Sequence, residues 1–565
     1  MLNCGMSAGP SPLSERRRPR HSGKRGLEMK RLSILCLSLS LSTVWMRAEP
    51  AETPTMGWSS WNTYRVNISD RLIMKQADLM VELGLDTCGY RYVNIDDGYF
   101  GGRDANGRLK THPNRFPNGL KGVVDHIHAL GLKAGIYSDG GEDTCGCFWD
   151  KDVLGAGVGF YGHDDQDAAF FFREHDFDFI KVDFCGGDGP QNAKHLTLDE
   201  RERYTAIRKA IDRIKTGVRL NVCRWNYPGT WVREVGSSWR ISGDINPTWG
   251  RVKAIIRENL YLSAYAAPGA YNDMDMLEVG RGFSDEEDQT HFAVWCLMSS
   301  QLLIGCDLES LKSKPKTLAL LKNPRLIALD QDTAAPQAYV VKRDGDAYVL
   351  VRDIEKPFGT ARVVGFVNLG DAAKSVEVPL RTLDLADVAM RDLITGQAME
   401  PPAETITVTV PAHGTRLYRL DAKQRLEREI YEAETAFLPT YQEIRDPKKV
   451  KSASYAKKGD ASGGWVATGL GGRPGNDLVW ENVHSAGGNY QIRLYTFCDT
   501  PRAVNIRVNG GTPVTATAAP FKSLNDLDRP SLFQVTLKKG VNTIRVFNDA
   551  DPLPDIDAMH LTRIP

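Results

Sequence analysis

Between Thr55 and Asp330 short apolar, β-branched runs alternate with helix-period segments, the pattern of repeated βα units around a parallel sheet. The strand-like runs are Met56 to Trp61, Tyr92 to Asp97, Ala134 to Asp139, Phe179 to Asp183, Arg219 to Trp225, Trp239 to Asp244, Tyr271 to Met276 and Leu302 to Asp307. Their number and spread, within roughly 250 residues, match a (β/α)8 TIM barrel. An open doubly wound sheet would usually carry a Gly-rich phosphate loop after its first strand, whereas here the first run ends in GWSSWNTY. Residues 51–335 are therefore expected to form a catalytic barrel.

The period changes downstream. Runs such as AYVLVRD, ARVVGFVNL, ITVTVP and TRLYRL alternate without a helix-length repeat and predict an antiparallel β-sandwich over 336–422. The charged segment DAKQRLERE reads as a helical linker, and Gly-rich turns between YQIRLYTF, NIRVNG and NTIRVF predict a second β-sandwich over 423–565. Residues 1–50 read as a disordered leader and signal peptide: MKRLSILCLSLSLSTVWMRA, from Met29, has the basic and apolar regions of a secretory signal. Its apolar stretch is too short to span comfortably, and no later segment supplies the roughly 20 residues a span needs. The expectation is export, to the periplasm or to the extracellular space and cell surface, with no membrane span after signal removal. With 71 basic against 71 acidic side chains, the chain lacks the electrostatic footprint of a nucleic-acid binder.

Six of the predicted strands end in carboxylates: Asp96 with Asp97, Asp139, Asp183, Asp244, Asp273 with Asp275, and Asp307. Acids converging on one rim suit a divalent metal or a polyhydroxylated ligand. Trp58, Trp61, Tyr99, Tyr137, Trp225 and Trp239 lie beside them with no His partner, which favours a sugar ring. Hydrolysing a glycoside takes two carboxyl groups, one to attack or activate water and one to protonate the leaving oxygen. Asp183 in FIKVDFC and Asp244 in WRISGDI would sit at the ends of alternate strands and face one axial pocket. Lys181 points inward with Asp183 and should keep it ionised, and Arg240 is placed to clamp a sugar hydroxyl. Any single strand-end Asp also suits a cap or loop anchor.

The blocks MGWSSWNTY, YVNIDDGYF, FPNGLKGVVDHIHALGLKAGIYSDGG, FIKVDFCGGD, WRISGDI, YNDMDMLEVG and HFAVWCLMSSQLLIGCDL, in this order, resemble family 27 glycoside hydrolases, the α-galactosidase family of clan D. The resemblance implies a retaining mechanism needing no cofactor for catalysis, with Asp183 as nucleophile, Asp244 as acid/base and their carboxyl groups about 5–5.5 Å apart. It implies that Asp96 and Asp97 bind the C4 and C6 hydroxyls of galactose and that Lys181 and Arg240 bind ring hydroxyls. Asp275 would stand by that Arg, with Trp61 and Tyr137 as aromatic walls. It also implies a disulfide between Cys145 and Cys185. Two departures stand out. Many members place an acid after the strand-five cysteine, near the sugar's C2, where this chain has Arg224, followed by Trp225; both count as substrate-binding candidates. The stretch CGCFWDKDVLGAGVGFYGHDD exceeds the family's usual turn and would shape the pocket rim or an aglycone subsite.

The implied substrates are galactose-containing oligosaccharides or polysaccharides. Alternatives within the family are a β-L-arabinopyranosidase or an α-N-acetylgalactosaminidase, and outside it a non-catalytic glycan-binding protein. The C-terminal region, with YEAE, GGWVATGLG, AGGNYQIRLYT and GVNTIRVF, resembles carbohydrate-binding modules of families 35 and 6. That likeness implies a structural calcium, for which Glu432, Glu434 and Asp557 are the candidate ligands. The oligomeric state is not legible.

Overall fold

The computed structural model describes residues 53–188, 194–441, 452–520 and 530–565. The predicted leader and signal lie outside them.

The eight predicted strands are present: β1 (Met56–Ser59), β2 (Tyr92–Asn94), β3 (Lys133–Asp139), β4 (Phe179–Asp183), β5 (Arg219–Val222), β6 (Ser238–Arg240), β7 (Tyr271–Asp273) and β8 (Leu302–Ile304). They form one curled parallel sheet in the order β8-β1-β2-β3-β4-β5-β6-β7. A parallel bridge between Leu277 and Ile304 joins its two ends, with Leu277 N–H donating to Leu303 O at 2.7 Å and Gly305 N–H to Leu277 O at 2.9 Å. Strands buried on both faces explain the continuous apolar runs that the sequence shows in place of alternation.

Helix α1 (Asp70–Glu82) starts at Ser69, whose hydroxyl accepts the Leu72 N–H, and buries Ile73, Ala77, Leu79 and Met80 against the barrel. Helix α2 (Asp285–Leu297) opens with a reciprocal Ser284–Glu287 capping box. It is buried over most of its circumference because the second domain packs on its outer side: Arg352 donates to Cys296 O at 3.2 Å, and Arg416 pairs with Glu286 at 2.8 Å.

That second domain holds a six-stranded antiparallel sheet and a separate pair, Lys374–Pro379 with Thr405–Val410. Val349, Val351, Val364, Phe366, Val376, Val378 and Leu420 fill the space between. Here the linker expectation is corrected. Residues 421–425 do not begin a helix but continue the strand Thr415–Arg425, paired as far as Leu385 with Arg425. The partner strand's open edge outweighs a charged composition that is only a weak helical preference. The C-terminal region packs a six-strand sheet centred on Gly488–Phe497 and Asp555–Ile564 against a four-strand sheet. Tyr455 O–H and Tyr265 O–H lie 2.7 Å apart, and Thr230 Oγ1 donates to Pro439 O at 2.9 Å, so this region is docked on the barrel. Among the described residues no helix is long and apolar enough to cross a membrane.

Candidate active site

The strand-end carboxylates divide by what they accept. Asp139 takes the N–H groups of Gly141 at 2.7 Å, Cys185 at 2.7 Å and Gly186 at 3.1 Å, tying together the turns after β3 and β4. Asp307 takes Gln76 Nε2 at 2.8 Å and the Glu309 N–H at 3.1 Å. Both are loop anchors. Asp96, Asp183, Asp244, Asp273 and Asp275 instead line the opening at the C-terminal ends of the strands.

That opening has two connected parts. An inner cavity of about 180 Å³ is lined by Trp61, Asp96, Lys181, Arg240, Asp244, Asp273 and Asp275 among others. An outer cavity of about 600 Å³ is lined by Trp61, Arg65, Cys145, Phe148, Trp149, Lys181, Asp183, Cys185, Asp188, Trp225 and Asp244. Trp61, Arg65, Lys181 and Asp244 belong to both and mark the neck.

Two cations organise the acids. Lys181 Nζ stands 3.2 Å from Asp96 Oδ2 and 3.6 Å from Asp183 Oδ2, above the rings of Trp61 and Tyr137. Arg240 Nη2 reaches Asp275 Oδ2 at 2.7 Å and Asp244 Oδ1 at 3.1 Å. Asp275 is held at φ 77°, a left-handed conformation unusual outside glycine, with its N–H on Asp273 Oδ1 at 2.8 Å; Oδ2 also accepts the Ile245 N–H at 2.8 Å. This fixes the turn that carries Asp244. A disulfide joins Cys145 and Cys185 across 40 residues, as the family resemblance implies, and the Cys145 sulfur lies 3.4 Å from Asp183 Oδ2.

The two candidate catalytic carboxyls sit in contrasting surroundings. Asp183 is 4% exposed, and its Oδ1 accepts no hydrogen bond from the described residues. Burial pushes its pKa up; Lys181 pulls the other way, and Asp96 adds to the rise. The Asp244 side chain is 63% exposed at the neck. The burial that its environment imposes raises it, but Arg240 and then Lys181 outweigh this and hold it below the ordinary carboxylate range.

Not every predicted ligand faces the cavity. Asp97 lines neither part: its Oδ1 accepts Gly98 N–H and its Oδ2 accepts Gly146 N–H, each at 2.7 Å, and burial pushes its pKa up to about 7. Tyr137 is buried behind Lys181, its hydroxyl accepting the Cys145 N–H at 3.2 Å. Arg224 turns to Glu200 Oε1 at 2.6 Å and Asp188 Oδ2 at 3.3 Å and lines neither cavity, while Trp225, at φ 61°, does face the outer one. Sequence reasoning missed the inner cavity's Asn62, Glu278 and Arg281, where Glu278 accepts from both neighbours, and Arg65, which stacks on Trp61 at 4.3 Å and pairs with Asp150 at 2.8 Å. YNDMDMLEVG held Glu278, but the alternation of a three-residue strand ends before it.

Glu432, Glu434 and Asp557 gather in the C-terminal region around Ser462, whose N–H donates to Asp557 Oδ1 at 3.0 Å and whose hydroxyl donates to Glu432 Oε2 at 2.5 Å. Gly463 has φ 54°, and a side chain there would run into Glu434 Oε1. Burial and mutual repulsion raise Glu434 to about 9 and Glu432 to about 7, and burial raises Asp557 to about 6.

Comparison with known proteins agrees with this geometry. The family model described as alpha galactosidase A matches residues 53–332, and that of the alpha galactosidase C-terminal beta sandwich domain matches 344–420. Alpha-galactosidase A of Cellvibrio japonicus (strain Ueda107) is 34% identical over 400 residues, covering 66% of this chain and 93% of that protein. Alpha-galactosidase 2 of Arabidopsis thaliana is 35% identical over 384 residues, covering 66% and 91%. The crystal structure of alpha-galactosidase I from Mortierella vinacea superposes with a TM-score of 0.60 at 29% identity, over 66% of this chain and 98% of that one. A barrel with this rim and relatives matched almost end to end place the chain in the α-galactosidase family of glycoside hydrolases, family 27.

Proposed function

We propose that the protein is a retaining exo-α-galactosidase that releases terminal α-linked galactose from oligosaccharides or polysaccharide side chains. The observation that carries this is that Asp183 and Asp244, delivered by β4 and the turn after β6, line one cavity, each beside its own cation. Asp183 attacks the anomeric carbon while Asp244 protonates the leaving oxygen; Asp244 then deprotonates the water that releases galactose. The first step needs Asp244 protonated, yet without substrate Arg240 holds its pKa low. A sugar seated over it excludes water and draws the carboxyl from Arg240 toward the glycosidic oxygen, both of which raise its pKa. Asp96, Lys181, Arg240 and Asp275 are the sugar's polar partners, and Trp61 its apolar wall. Asp97 acts behind Asp96, holding the Gly146 turn.

Release of p-nitrophenol from the α-galactoside, the β-L-arabinopyranoside and the α-N-acetylgalactosaminide tests this reading, with Asp183→Ala as control. A dominant α-galactoside rate that vanishes in the control is expected. Dominance of another glycoside replaces the sugar assignment with one of the family alternatives, and no rate on any leaves the glycan-binding alternative.

The proposal extends to the remaining segments: chemistry in 51–335, packing in 336–422, and in 423–565 a region resembling a carbohydrate-binding module, with export directed by the leader. Three crowded carboxylates, with Glu434 Oε2 buried and accepting no hydrogen bond from the described residues, offer the hard oxygen donors that calcium prefers. Calcium held by Glu432, Glu434 and Asp557 would supply the positive charge that offsets their repulsion, a role in stability and not in the reaction.

A further inference from the structure

The strand register brings a thiol between Asp183 and Arg240. Val182 pairs with Val222, and Val222 with Trp239, in parallel ladders. Cys223 N–H extends the first ladder onto Val182 O at 2.9 Å. Registered residues of neighbouring parallel strands point to the same face, and successive residues alternate. Asp183, Cys223 and Arg240, each one step further on, therefore stand side by side at the ends of β4, β5 and β6 with their side chains toward the barrel axis. Asn221, two residues before Cys223, lines the inner cavity, in keeping with that direction. All three side chains are buried.

Cys223 is a free cysteine and interacts with both neighbours. Arg240 Nη1 donates to Cys223 Sγ at 3.6 Å, while Nη2 of the same guanidinium holds Asp275 and Asp244. Burial raises the pKa of Asp183 and Asp96 adds to the rise; Lys181, and then the Cys223 thiol, draw it back. Burial, and then the charge of Asp183, hold the thiol's own pKa well above its ordinary value, so the sulfur keeps its proton. A protonated thiol is a weak donor and its sulfur a weak acceptor, so it can serve Asp183 and Arg240 at once. Tyr204, on the helix Glu200–Ile214, braces the pair from behind: its hydroxyl lies 3.0 Å from Val182 O and 3.1 Å from Cys223 O, tying the ends of β4 and β5 together.

We propose that Cys223 is a positioning residue of the glycosidase reaction: its S–H donates to the Asp183 carboxylate and its sulfur accepts from Arg240, a neutral link that fixes the nucleophile relative to the arginine holding Asp244. The inference rests on the α-galactosidase reading above and adds a residue to its machinery. The other titratable groups around Asp183 and Cys223 are Asp96 after β2, Tyr137 and Asp139 on β3, Lys181 on β4, Arg240 and Asp244 at β6 and its turn, and Tyr204 behind. Substituting Cys223 leaves all of these in the chain and removes only the link.

The test is the pH dependence of kcat/KM on dinitrophenyl α-galactoside in the full chain and in Cys223→Ala, Cys223→Val and Cys223→Ser. This leaving group departs without a proton, so the fall in rate on acidification follows protonation of Asp183 and not of Asp244. Losing a donor to the ionised form raises a carboxyl's pKa. Cys223→Ala, and Cys223→Val, which also fills the thiol's space, should move the acid limb up by about half a pH unit and lower the plateau about three- to tenfold. Cys223→Ser keeps a donor and should hold the limb at or below its wild-type position. An acid limb that stays in place in the Ala and Val variants, or moves equally in Ser, overturns the link whatever the loss of rate. A wild-type chain that hydrolyses no α-galactoside overturns the α-galactosidase reading itself, and the role of Cys223 with it.

Discussion

Two clusters of crowded acid in this protein meet the same electrostatic problem differently. At the barrel rim each carboxylate facing the cavity has a cation or a set of N–H donors: Lys181 lies between Asp96 and Asp183, and Arg240 between Asp275 and Asp244. In the C-terminal region Glu432, Glu434 and Asp557 face one another with the hydroxyl and N–H of Ser462 between them, and among the described residues none of the three forms a salt bridge. Buried charge is costly unless paired: Lys181 and Arg240 offset part of the rise that burial imposes on Asp183 and Asp275, whereas in the second cluster mutual repulsion adds to the rise that burial imposes on Glu432 and Glu434. On the proposed reading, the difference separates acids that serve the reaction from acids that would hold a structural cation.

The strongest way to break this contrast is at the rim. Asp183→Ala should lower kcat/KM on an α-galactoside on the order of 10⁴-fold or more, with the melting temperature little changed. If activity survives, Asp183 is a structural acid like Asp139. Asp244→Asn should cost roughly 10²- to 10⁴-fold on a disaccharide and much less on an aryl galactoside with a good leaving group, because only the former needs proton donation. Equal losses on both substrates would assign Asp244 to binding.

Next in size is the link between rim and loop. Replacing Cys145 and Cys185 by serine opens a loop with a sequence separation of 40 residues. Chain entropy puts the loss at about 3–4 kcal/mol, read as a lower midpoint in denaturant, and the freed turn should lower kcat as well. Lost stability at unchanged kcat would show that the disulfide does not position Asp183.

The smallest expected effect sharpens the other side of the comparison. Folded-state pKa values raised to about 9 for Glu434, 7 for Glu432 and 6 for Asp557 mean that the cation-free native state binds more protons than the unfolded chain from about pH 4.5 to 9. Their contribution to stability is fully present below the unfolded values and is lost as pH rises through the folded ones. Chelator-treated protein should therefore melt several degrees lower at pH 8 than at pH 5, relative to Glu434→Gln, and added calcium should remove most of that fall. A melting temperature indifferent to calcium in both proteins would contradict the cation assignment.

Much of this was legible in the chain. The eight barrel strands are apolar runs because both their faces are buried, and the acids after them follow from where a parallel barrel places its strand ends. Less legible were features set by partners distant in sequence. The use of Asp97 on Gly146, the Arg65–Asp150 grip and the retreat of Arg224 to Glu200 span 49, 85 and 24 residues, and no local pattern encodes them. Glu278 lies beyond the end of β7, where strand alternation no longer predicts direction. The supposed linker misled because charge reads as helix when the open edge of a neighbouring strand is not visible.

The account turns on Asp183 as the nucleophile. Incubation with an activated fluorinated α-galactoside, whose intermediate hydrolyses slowly, followed by proteolysis and mass spectrometry, tests this most directly. The account predicts one galactosyl adduct on the peptide containing FIKVDFC, located at Asp183. An adduct on Asp244 or Asp139, or active protein that turns over galactosides without forming any, would contradict it.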